Sequence, residues 1–130
     1  MSKELQYPNS CRYTAEHVWI RKDGAEWLVG ITDFAQDQLG EIVYVELPAA
    51  GEHFAAADSF GTVESLKSVN TLYMPVSGTV TALNEELAAV PSLVNADCYK
   101  KGWMLRIQPD SDADAAALLS AEAYAAKLIS

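Results

Sequence analysis

The chain is 130 residues long, half of them hydrophobic, with 18 acidic and 9 basic side chains and a net charge of −9. That length suits one domain with a core of its own, and the apolar share excludes general disorder. The acidic balance argues against nucleic acid and anionic membrane surfaces as partners and favours proteins with basic docking patches, or none.

Met1 to Gln6 contains no apolar segment of the kind a signal peptide needs, and no stretch reaches the length of a membrane span. The expectation is a cytoplasmic chain with no membrane partner and with Cys11 and Cys98 reduced; a mature organellar chain that has lost its transit peptide reads the same way. The two cysteines are far apart and belong to no CxxC pair.

Residues 1–10 are polar, include Pro8 and Asn9, and read as an N-terminal arm. From Arg12 the pattern becomes strand-like. Val18 to Arg21 runs out to Lys22-Asp23-Gly24-Ala25, where Asp-Gly suits a tight hairpin turn, and returns as Glu26 to Ile31. Thr32 reads as the N-cap of a helix over Asp33 to Leu39, with Phe34, Ala35 and Leu39 facing one side and Gly40 at the stop. Ile42 to Leu47 is a further strand ending at Pro48, Gly51 marks a turn, and His53-Phe54 is a brief strand before the break at Ala55 to Asp58.

Two runs rich in β-branched and aromatic residues follow, Gly61 to Leu66 and Val69 to Val76, on either side of Lys67-Ser68. They read as a hairpin with Lys67 at or beside the tip. Gly78 to Asn84 is another strand, Glu85 to Ala89 a turn or two of helix limited by Pro91, and Ser92 to Asp97 a loop or short helix. Trp103 to Gln108 is the last strand, closing at Pro109. Residues 111–130 are alanine-rich and read as a C-terminal helical segment, with Ser120 capping a final helix from Ala121 to Leu128. Many short strands with glycine and proline punctuation predict a mainly β, antiparallel sandwich or barrel-like fold, one domain over 1–130.

Few side chains suggest catalysis. His17 and His53 lack a third ligand at metal-site spacing and read as surface or half-buried residues. There is no GxSxG elbow, P-loop or GxGxxG. Trp19, Trp27 and Trp103 fall in predicted strands and read as core rather than as a stacking platform. Lys67 alone invites a question, because a lysine at a turn is either a modification site or a solvated loop residue. As a Schiff-base nucleophile it would need a depressed pKa, from burial or a cationic neighbour, and a hairpin tip near Glu64 supplies neither. A modification site needs the reverse, an exposed amine on a rigid base, so Lys67 reads as the substrate of a ligase rather than a catalyst.

Glu64-Ser65-Leu66-Lys67-Ser68 followed by Pro75-Val76-Ser77-Gly78 resembles the lipoyl-lysine hairpin of the glycine cleavage system H proteins. The likeness spans nearly the whole chain: Gly30-Ile31-Thr32, Ala35-Gln36, Leu39 to Val43 and Val45 to Pro48 match the family's central block, and Leu93-Val94-Asn95 and Gly102-Trp103-Met104 its C-terminal part. The resemblance implies a barrel-sandwich hybrid of the lipoyl-domain type with short helices, and no catalytic residue. It implies lipoate in amide linkage on Lys67, with Glu64 read by the lipoate ligase. A lysine not set between methionines argues against biotin. The implied partners are glycine decarboxylase, aminomethyltransferase, dihydrolipoamide dehydrogenase and a lipoate ligase or lipoyl transferase, met by a monomer. Three places depart from the family: Val18 and Thr71 stand where it carries acidic residues, and Cys98-Tyr99 where it carries Pro-Tyr. The first two keep a second reading in view, an H-like protein that mainly accepts lipoate and relays it to other lipoyl domains.

Overall fold

The computed structural model describes residues 5–128. In chain order the elements are β1 (Arg12–Tyr13), β2 (Val18–Asp23), β3 (Glu26–Ile31), α1 (Asp33–Leu39), β4 (Ile42–Glu46), β5 (His53–Phe54), β6 (Ser59–Ser65) and β7 (Val69–Tyr73). They continue as β8 (Gly78–Leu83), α2 (Glu86–Ala89), α3 (Leu93–Ala96), β9 (Leu105–Pro109), α4 (Asp112–Ala116) and α5 (Ala121–Leu128). The strands form two antiparallel sheets, one in the order β1-β2-β3-β9-β8-β5 and a smaller one in the order β4-β6-β7.

The main core lies between the sheets, where Val18, Ile20, Val29 and Ile107 of the larger meet Val45, Val63 and Leu72 of the smaller. A second cluster sits on the other face of β1-β2-β3, where Tyr13, Trp19 and Leu28 pack against Ala121 and Tyr124 of α5. Both faces of β2 and β3 are therefore covered. This is why Val18-Trp19-Ile20 and Trp27 to Ile31 are continuous apolar runs rather than alternating ones.

Local chemistry accounts for several boundaries. Gly24, at φ 69°, occupies the first of two loop positions between the paired residues Asp23 and Glu26, the place a II′ turn reserves for glycine. Thr32 Oγ1 accepts the amide of Ala35 at 3.2 Å, capping α1 as expected, and Ser120 Oγ accepts that of Ala123 at 3.1 Å at the start of α5. Of the predicted helix face, Ala35 and Leu39 pack on the core, while the α1 side chains most withdrawn from water are Asp33 and Gln36.

Several strand limits shift by one to three residues from the sequence expectation, and two of the shifts have a plain local cause. The hairpin's second strand stops at Tyr73, because the Met74 amide turns to Asp58 O at 2.8 Å and Pro75 has no amide hydrogen to continue the ladder. Trp103 lies just before β9, half-buried, with its carbonyl accepting Asn84 Nδ2 at 2.8 Å.

Candidate functional site

The β6–β7 register pairs Glu64 with Val69, so Leu66 and Lys67 cap the hairpin between Ser65 and Ser68. Ser65 organises this tip. Its side chain is buried, its amide donates to Ser68 O at 2.8 Å, and its Oγ accepts the amides of Lys67 (3.3 Å) and Ser68 (3.2 Å). Asn70 Nδ2 donates to Ser68 Oγ at 3.0 Å and ties the descending strand to the same turn. A serine hydroxyl bonded to the backbone two and three residues on is a local substitute for ladder bonds. Ser65→Ala is therefore expected to cost about 1 kcal/mol, confined to the tip. Hydrogen exchange should quicken at Lys67 and Ser68 while the core amides keep their protection.

Lys67 is exposed, and among the described residues it enters no ion pair. Its stem lies over Gly40: a Cβ there would be 3.6 Å from Lys67 Cε and 3.9 Å from Nζ. Gly40 has φ 79° and ends α1, so the amine rests near a helix C-terminus, whose partial negative charge suits an ammonium. Asn95 on α3 braces this shelf. Its Nδ2 donates to Gly40 O (2.8 Å) and Gln36 Oε1 (3.0 Å), and its Oδ1 accepts the Ile42 amide (2.8 Å) that opens β4. Gln36 in turn bonds Asp33, whose Oδ2 accepts the Gln6 amide at 2.9 Å, and Tyr99 donates its hydroxyl to Gln6 O at 2.6 Å. The described part of the N-terminal arm is thus fastened to the base of the site.

Between α1 and β7 an open groove of about 460 Å³ runs alongside the tip, walled by His17, Phe34, Gln38, Leu39, Val69 and Thr71. Among the described residues, Glu16 is its one acidic lining residue. Of the two positions read in the sequence as departing from the family's acids, Thr71 faces this groove, whereas Val18 is buried in the core. Glu64 is half-buried on β6. His53 lies elsewhere, exposed and paired with Asp110 at 2.9 Å.

His17 is held in a strained backbone, φ 66°, by its amide bond to Thr14 O (3.1 Å) and by Thr32 N donating to its carbonyl (3.0 Å). Its ring tilts against Phe34 with centroids 4.9 Å apart, and Nδ1 lies 2.7 Å from Tyr124 Oη. Tyr124 Oη is also 2.8 Å from Thr32 Oγ1. The direction of these bonds follows from Thr32, which is fully buried. Its oxygen accepts the Ala35 amide, so its hydrogen goes to Tyr124, whose own hydrogen goes to His17 Nδ1. His17 is then the Nε2–H tautomer, and burial keeps it neutral by lowering its pKa against the opposing pull of Glu16. The unfolded chain takes up this proton at higher pH than the folded one, so stability falls as pH drops through the ordinary histidine range. Tyr124→Phe should cost about 1 kcal/mol, shift the His17 midpoint upward and flatten that pH dependence, read by NMR titration of the ring.

Together these features define a display module: a lysine raised on a fixed two-stranded tip, exposed and, among the described residues, outside any ion pair. The comparisons give the family. The pattern described as Glycine cleavage H-protein matches residues 11–130. The glycine cleavage system H protein of Carboxydothermus hydrogenoformans is 50% identical over 117 residues, covering 90% of each chain. That of Anaeromyxobacter sp. is 48% identical over 122 residues, covering 94% of this chain and 95% of its own. The crystal structure of the Mycobacterium marinum H protein superposes with a TM-score of 0.86 at 36% identity, over 95% of this chain and 99% of that one.

The chain belongs to the glycine cleavage H-protein family, and its two-sheet architecture is that family's lipoyl-type barrel-sandwich fold. Members carry lipoate covalently on a lysine and shuttle intermediates between the glycine cleavage enzymes; they are carriers, not catalysts. Ser65 and Asn95 enter the sequence reading only as parts of matched motifs, and Tyr124 only as a residue of the C-terminal helical segment; none of the three is given a role there.

Proposed function

We propose that Lys67 is the lipoyl attachment residue and that Glu64 is part of what the attaching enzyme reads. The observation that carries this is the exposed Lys67 amine, on a backbone fixed by Ser65 and outside any ion pair among the described residues. Converting Nζ to an amide removes a positive charge, and no described carboxylate loses a partner when it does. The tip therefore fits the group chemically. Once attached, lipoate supplies a dithiolane able to carry the aminomethyl unit. The chain's own residues hold the attachment point: Ser65 sets the turn, and Gly40, at φ 79°, ends α1 beneath the stem.

The partners proposed are glycine decarboxylase, which loads the arm, aminomethyltransferase, which unloads it to tetrahydrofolate, dihydrolipoamide dehydrogenase, which reoxidises it, and a lipoate ligase or lipoyl transferase. The proposed setting is the cytoplasm. The acting unit is a monomeric single domain, with an N-terminal arm described from residue 5 and a C-terminal helical segment described to residue 128. Neutral Thr71 on the groove wall favours one second reading, a lipoate acceptor and relay. Incubation with lipoate, ATP and a lipoate ligase should add one lipoyl increment to the intact mass, and no increment would sink both readings. Glycine and glycine decarboxylase should then load the lipoylated protein. A lipoylated chain that refuses loading would leave the relay.

A further inference from the structure

The smaller sheet turns an apolar face outward beside the tip. Leu66 is 80% exposed, Val69 62%, Tyr44 53% and Val43 39%. The register places Tyr44, Glu64 and Val69 directly opposite one another on β4, β6 and β7, so their side chains share one face, with Leu66 at its end next to Lys67. Large apolar side chains gathered this way mark an interaction site rather than ordinary surface scatter. The frame is acidic: Glu41 and Glu46 are exposed around the patch, Glu64 crosses it, and β4, β6 and β7 contain no lysine or arginine.

We propose that Val43, Tyr44, Leu66 and Val69 form the docking face for the lipoate-attaching enzyme, which meets them with an apolar cleft rimmed by basic side chains. The inference rests on Lys67 being the attachment site. Attachment joins Nζ to the carboxyl carbon of an activated lipoyl group (an acyl-adenylate or acyl-thioester), expelling the activating group and releasing a proton from the amine. It is the one step that brings Nζ itself to a partner's reacting atoms, and Leu66 is covalently next to it. Every later partner reacts at the far end of the arm, so none of them needs Nζ itself at its reacting atoms. The exposed apolar side chains at the tip are thus accounted for by the attaching enzyme, and the acidic frame by its basic rim.

The test compares two rates on the same variants. Leu66→Ser and Val69→Ser are expected to lower kcat/KM for lipoylation by a lipoate ligase about ten-fold each, with Val90→Ser, exposed just after α2, as the unaffected control. Each variant, fully lipoylated by long incubation, is expected to be turned over by dihydrolipoamide dehydrogenase within two-fold of the unaltered protein. Unchanged lipoylation rates, or equal losses in both assays, would overturn the inference. If the unaltered protein gains no lipoyl increment on Lys67, the attachment reading itself fails, and that outcome is distinct from an unaltered protein lipoylated no faster than its variants.

Discussion

Lys67→Arg is expected to reduce turnover in a reconstituted glycine cleavage assay to background while leaving the thermal midpoint unchanged. The two halves of the result have separate causes. Lys67 is exposed and outside any ion pair among the described residues, so a cation of similar length at the tip disturbs neither packing nor a charge partner. Surface changes of that kind stay within about 0.5 kcal/mol. A guanidinium, however, stays protonated at any pH a protein tolerates and offers no free amine to acylate. Without an arm a carrier has nothing to carry, so the loss is complete rather than graded. Urea unfolding and near-UV circular dichroism of the variant check the first half, and carbon dioxide release from glycine the second.

Trp19→Ala is the substitution expected to damage the fold most. The indole is fully buried in the second cluster, its Nε1 donates to Cys98 O at 3.0 Å, and the Arg21 guanidinium lies 5.2 Å from the ring centroid. Its register partner is Gly30, where a Cβ would come within 2.7 Å of the ring, so the glycine exists to seat the tryptophan. Removing a buried aromatic of this size costs about 3–5 kcal/mol, and loss of the Nε1 bond to Cys98 O adds to the penalty. A large fall in the urea midpoint, with lipoylation surviving in whatever fraction remains folded, is the expected pattern.

The elements set by local chemistry were legible in the sequence. Asp23-Gly24, the Thr32 cap with the Gly40 stop, and the Ser120 cap each describe a bond or a dihedral that a few adjacent residues decide. The lysine hairpin was legible for the same reason. What stayed hidden depends on distant chain. Asp33 and Gln36 look like solvent-facing helix residues until Asn95, Tyr99 and the Gln6 backbone arrive to pair with them. Val18 stood in the sequence as a missing acid beside the arm, yet its side chain belongs to the core between the sheets. Gly61 reads as an ordinary strand residue. Only the pairing of β4 with β6 shows that a Cβ there would collide with the carbonyl of Glu46. The exposed face around Leu66 was equally invisible, because period-two patterning cannot say which side of a small sheet another layer covers.

The central claim, that this fold displays one lysine for lipoate, is tested most directly by proteolysis and tandem mass spectrometry of the ligase-treated protein. The predicted result is a single lipoyl increment located on Lys67, in the peptide that contains Glu64-Ser65-Leu66. An increment on Lys22, Lys100 or Lys101 instead, or a mixture spread over several lysines, would contradict it.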